Sequence, residues 1–102
     1  MQPFIEERDD LPAEIQTFVR MMAGIQEEAE AIGIYEQRAQ VEADGDANAV
    51  ILEAQKEEMK HFAMQLAVAL RLNETFSTIC KGILFKDGDL VKLGVAAEKA
   101  AE

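Results

Sequence analysis

Val50-Ile51-Leu52-Glu53-Ala54-Gln55-Lys56-Glu57-Glu58-Met59-Lys60-His61-Phe62-Ala63-Met64-Gln65-Leu66-Ala67-Val68-Ala69 decides the fold. Val50, Ile51, Ala54, Glu58, His61, Phe62, Gln65, Leu66 and Ala69 return at helical spacing and follow one broad face. The helix is expected to start with Asp46 as its cap, run to about Leu72 and stop at Asn73. Glu58 and His61 stand out on that face. A carboxylate on an apolar stripe is costly to bury unless it is paired or bound to a metal.

Upstream, Leu11, Ile15, Phe18, Met22, Ile25, Ala29, Ile32 and Ala39 mark a first long helix. Asp10 can cap it, Pro12 suits its first turn, and Glu14 favours its positive end. Gly24 and Gly33 each weaken it by about 1 kcal/mol relative to Ala. Ala43-Asp44-Gly45-Asp46 reads as a turn, with Gly45 able to take a positive φ. So short a connection implies an antiparallel hairpin. Thr75 to Phe85 predicts a shorter third helix, blemished by Gly82, and Leu90 to Ala101 a short Ala-rich helix or frayed tail. No strand pattern or repeat is present. The expected organisation is a flexible leader over 1–9 and one all-α hairpin domain over 10–102.

The 102 residues are 49% hydrophobic, enough for a small core. Two long helices cannot close a core alone, because each must bury its apolar stripe on a partner. Oligomerisation is therefore expected. The net charge of −10, from 20 acids and 10 bases, argues against nucleic acid and anionic membrane surfaces and favours cations. No stretch of ~18 apolar residues suggests a membrane span, and the acidic start does not resemble a secretory signal. Cys80 is the only cysteine, so no internal disulfide forms. A small buried hydrophobe is its simplest role, and a reducing cytoplasm the simplest setting.

His61 is the only histidine, and Glu58 lies three residues before it on the same face. That pair is half of the ligand set of a carboxylate-bridged di-iron centre. One further Glu and one Glu-x-x-His from each of two chains would complete four Glu and two His. With no second histidine, such a site needs two copies of the protein. The plainer alternative is a partly exposed His61 paired with Glu57 or Glu58. Glu27-Glu28-Ala29-Glu30 crowds three carboxylates into one turn of the first helix, which is destabilising without a counter-ion. Glu28 lies two turns before Tyr35, on one face with it. A tyrosine beside an oxidised metal can bond to or shield a ligand; otherwise Tyr35 is an ordinary interface aromatic.

Glu27-Glu28-Ala29-Glu30-Ala31-Ile32-Gly33-Ile34-Tyr35-Glu36-Gln37-Arg38, followed by Lys56-Glu57-Glu58-Met59-Lys60-His61-Phe62-Ala63-Met64, resembles the encapsulated ferritins. The family patterns are Glu-Glu-Leu-Glu-Ala-x-x-Trp-Tyr-x-Gln-Arg and Glu-Glu-x-x-His-Ala-x-Met, and the likeness covers about residues 20–72. It implies a two-helix subunit that dimerises into a ferritin-like four-helix arrangement, with a di-iron ferroxidase centre at the interface, and dimers that join into a ring-shaped decamer. It also implies that Glu28, Glu58 and His61 ligate iron and carry the catalysis, with Tyr35 beside the site. Glu27 and Glu30 would match acidic positions that attract iron. The implied role is Fe(II) oxidation for storage in an encapsulin shell, placing the protein in a cytoplasmic nanocompartment; calcium or zinc could stand in for iron. Ile34, Gly33 and Phe62 depart from the family patterns. The C-terminus lacks a Leu-x-x-Gly-Ser-Leu docking peptide, with Leu90-Val91-Lys92-Leu93-Gly94-Val95 a faint echo. Two other functions fit the residues: a non-catalytic metal-binding or structural oligomer, and an acidic adaptor for a basic protein.

Overall fold

The computed structural model describes residues 2–102. Four α-helices follow a short 3-10 turn at Arg8–Asp10: α1 Ala13–Val41, α2 Gly45–Leu72, α3 Glu74–Ile83 and α4 Leu90–Ala100. No strand occurs among the described residues. The chain divides into two compact units, one ending at Ala69 and the other Leu70–Glu102.

In the first unit α1 and α2 form the expected antiparallel hairpin. Asn48 Nδ2 donates to Ala39 O at 2.6 Å, and Gln55 Nε2 donates to Ile32 O at 3.2 Å and Glu36 Oε2 at 2.8 Å. These partners fall along α1 as they rise along α2, so the helices run in opposite directions. The turn differs from its sequence reading. Asp44, not Asp46, caps α2, accepting from Ala47 N at 2.9 Å. Asp46 lies in the first helical turn, where its charge favours the positive end. Gly45 is the first helical residue and has no positive φ. The cap shifts because Asp44 already satisfies an orphan amide of the first turn. At the other end Pro12 occupies the N-cap position of α1 with no side-chain cap, and Asp10 belongs to the preceding 3-10 turn. Gln16 Nε2 donates to Arg8 O and Leu11 O, tying that turn to α1.

Ile25, Gln55 and Ala69 are the buried residues of this unit. Val50, expected on the inner face, is 69% exposed, while Gln55 is 5% exposed. Met22, Ile34, Met59 and Met64 also remain exposed. Two helices meet along one line, so flanking apolar residues of each stripe stay uncovered.

In the second unit Asn73 ends α2 and also starts α3, accepting from Phe76 N at 2.8 Å. The third helix is therefore Glu74–Ile83 rather than Thr75–Phe85. Asp89 caps α4 by accepting from Lys92 N at 3.0 Å. Gly82 is less a blemish than a contact: a Cβ there would stand 2.6 Å from the Cβ of Ala97, which is itself buried. Its missing side chain lets α3 and α4 approach closely.

Candidate metal centre

The middle of the α1–α2 hairpin brings three distant residues together. Glu28 comes from α1, and Glu58 and His61 come from α2. One ligand atom from each lies within 4.8 Å of the other two. His61 Nδ1 is 4.0 Å from Glu28 Oε2. The pairing matters because Glu57, the other sequence candidate for His61, is occupied elsewhere. Its Oε2 takes a 2.9 Å ion pair from Lys60 Nζ. The hydrogen bond from Lys60, and then its charge, hold the exposed Glu57 carboxyl below the usual carboxylate range.

Two contacts bracket this cluster and set its register. Gln55, three residues before Glu58, reaches across to Ile32 and Glu36. Ile32 is one turn beyond Glu28. On the other side, Gln65 lies one turn beyond His61 and packs on Gly24, one turn before Glu28. A Cβ on Gly24 would stand 2.6 Å from Gln65 Nε2. The three candidate ligands thus sit in the layer between a glutamine clamp and a glutamine–glycine contact. Neither was singled out from sequence. The available signal was two amides, Gln55 and Gln65, flanking Glu58 and His61 at helical spacing.

The Glu28 side chain is 15% exposed and that of His61 44%, so the cluster is buried on one side and open on the other. Glu28 Oε2 is buried with no hydrogen-bond partner. An unsatisfied buried acceptor costs about 1–3 kcal/mol, more for a charged group. A cation between Glu28, Glu58 and His61 would relieve that cost and the repulsion between the carboxylates. Two carboxylates and an imidazole suit ferrous iron and also zinc. The donor set fits a metal, with Glu28, Glu58 and His61 as the residues that would hold it.

The other sequence candidates lie outside this cluster. Tyr35 is half-buried, with the Arg38 guanidinium 6.0 Å over its ring. Glu27 and Glu30 are exposed and line a surface cleft with Pro3, Ala23 and Gln26. Their angular offsets from Glu28, about 100° per residue, keep them from sharing its inward direction. No helix is long and apolar enough to cross a membrane among the described residues.

Comparison with known proteins points the same way as the helical hairpin. No curated protein matches the chain. The crystal structure of protein ne0167 from Nitrosomonas europaea is similar, with a TM-score of 0.80 and 27% sequence identity. The match covers 87% of this chain and 98% of that one. The EncFtn-like family profile spans residues 3–87, which takes in both long helices, their turn, all three clustered side chains and α3. By that coverage the chain is a member of the EncFtn-like, or encapsulated-ferritin-like, family.

Proposed function

We propose that the protein is a ferroxidase, in which ferrous iron is the substrate and Glu28, Glu58 and His61 hold it. The observation that carries this reading is the convergence of these three donors on one seam, with a buried Glu28 oxygen that has no partner. Family membership supports the same reading. One chain supplies two carboxylates and one imidazole, which is half of a di-iron ligand set. Two chains meeting over the open side of the cluster would complete it. The exposed Met22, Met59 and Met64 supply apolar surface for such a meeting. Dimers would join further into a ring, and the ring would deliver ferric iron to an encapsulin shell.

In this reading the carboxylates neutralise the ions and favour the ferric product, whose higher charge binds oxygen donors more strongly. Each Fe(II) gives one electron, and dioxygen accepts them. Tyr35 flanks the site, and Glu27 and Glu30 raise the local concentration of Fe(II) outside it.

The test is anaerobic Fe(II) addition followed by air, with absorbance and oxygen uptake recorded on wild type and His61→Ala. Wild type should bind two irons per dimer and consume oxygen. The variant should keep its helicity and lose oxidation above the uncatalysed background. Wild-type oxidation rates in His61→Ala would refute the assignment. Iron uptake by wild type without oxygen consumption would point instead to a non-catalytic metal-binding oligomer.

A further inference from the structure

Among the described residues, two buried side-chain oxygens have no hydrogen-bond partner: Glu28 Oε2 and Gln65 Oε1. A metal at the candidate centre would account for the first. The second lies in the adjacent layer of the same seam, where nothing yet assigned gives it a purpose. Its place is held by Gly24. A Cβ at that position would lie 2.6 Å from Gln65 Nε2 and 2.8 Å from both Cδ and Oε1. All three atoms of the carboxamide therefore depend on a residue with no side chain.

His61 has the complementary need. An imidazole that ligates a metal through one nitrogen carries a proton on the other, and that N–H needs an acceptor to fix the tautomer and the ring plane. His61 turns Nδ1 toward Glu28; once Nδ1 ligates a metal, Nε2 carries the proton. Of the two acids one turn back, Glu58 belongs to the candidate ligand set and Glu57 is taken by Lys60. Gln65 lies one turn forward, four residues from His61, where Cβ atoms on one helix face are ~5–6 Å apart. Helical side chains lean toward the N-terminus, so Gln65 leans over the turn that His61 occupies.

We propose that Gln65 is a positioning residue for the candidate metal centre: Gln65 Oε1, seated against Gly24, accepts the Nε2–H of His61 and so presents Nδ1 to the metal. The inference rests on the metal-centre reading given above. With Nδ1 committed to a metal, the unpartnered Gln65 oxygen would be the acceptor for Nε2–H. The amide ligates nothing; it selects which nitrogen is free to ligate.

Because His61 is the only histidine, ring-¹⁵N histidine labelling gives one pair of signals to read. Spectra of the full chain are recorded at pH 8 without metal and with zinc as a redox-inert probe, and zinc affinity is measured by competition with a chelator. With zinc bound, wild type should show the Nε2–H tautomer with a protected N–H. Gln65→Met, unbranched and of similar length but without the oxygen, should lose that protection. It should bind zinc about 10–100-fold more weakly. Gln65→Glu keeps an acceptor and should retain the protected Nε2–H with zinc bound. Gly24→Ala keeps the glutamine but displaces its amide, and should behave as Gln65→Met does. If Gln65→Met loses helicity by circular dichroism, the Gly24→Ala and Gln65→Glu pair decides.

Unchanged Nε2–H protection with zinc bound and a zinc affinity within twofold of wild type in folded Gln65→Met or Gly24→Ala would overturn the proposal. The control is His61→Ala. If it binds zinc as tightly as wild type, the metal-centre reading itself fails. If it loses zinc while Gln65→Met behaves as wild type, only the role of Gln65 fails.

Discussion

Replacing Glu28 by Gln should reverse its effect on stability according to whether metal is present. Glutamine keeps the shape of the side chain and removes its charge. The ligand oxygens of Glu28 and Glu58 lie within 4.8 Å. Unit charges at that separation repel by ~0.9 kcal/mol in water and ~3.5 kcal/mol at an effective dielectric of about 20. The partial burial of Glu28 puts the relevant value between these limits. In chelator at pH 8, Glu28→Gln should be more stable than wild type by about 1–2 kcal/mol. For a domain of this size each kcal/mol is worth about 4–8 °C in Tm. Metal reverses the order. A ligand at 100 times its Kd stabilises by about 2.7 kcal/mol, and wild type should gain at least that from saturating zinc. Glu28→Gln, having lost one anionic donor, should gain far less. The assay is thermal unfolding by circular dichroism, with chelator and with zinc, at equal chain concentration. A variant less stable than wild type in chelator would mean that Glu28 is satisfied without metal. Equal gains from zinc would mean that metal binds elsewhere. Either result refutes the reasoning.

Glu27→Ala combined with Glu30→Ala should slow initial iron oxidation and flatten its dependence on ionic strength, because both carboxylates are exposed and act through a screened field; loss of one iron per dimer would show them to be ligands instead. Gln55→Leu removes the bonds to Ile32 and Glu36 but strands neither partner, since Glu36 is exposed. It should cost about 1–2 kcal/mol, seen as a lower Tm in chelator, and an unchanged Tm would show that the clamp carries no stability. Lys60→Met should raise the Glu57 titration midpoint toward the ordinary carboxylate range, read by carboxyl ¹³C NMR. The sign follows from a folded-state value below the unfolded one: the pair favours folding above the unfolded pKa, and the contribution is lost as pH falls through the folded value. An unmoved midpoint would show that Lys60 does not hold the proton off Glu57.

The helical hairpin was legible in the sequence because its signals are local. The recurrence of apolar residues from Leu11 to Ala39 and from Val50 to Ala69 is a property of single helices, and so is the punctuation at Asp44-Gly45. Glu58 and His61 were legible as a pair for the same reason, since their spacing alone puts them on one face. Cap positions were less legible. Asp44 and Asp46 are chemically equivalent candidates, and the structure chose Asp44 through its bond to Ala47. Asn73 likewise reads as a stop, yet it also starts α3.

What the sequence determined by itself was the element type, the antiparallel connection and the residue classes able to hold a cation. The tertiary structure alone decided which residues meet across the seam. It paired His61 with Glu28 rather than Glu57, buried Gln55 while leaving Val50 exposed, and set the Gln65 amide where Gly24 leaves room. The physical reason is register. Periodicity within a helix specifies the angular face of each residue but not the height at which a second helix lies against it. That height is set by a few cross-helix contacts, here Asn48 to Ala39, Gln55 to Ile32 and Gln65 against Gly24. Moving α1 along α2 by a single turn would leave every helical pattern unchanged and would separate Glu28 from Glu58 and His61 by about 5.4 Å.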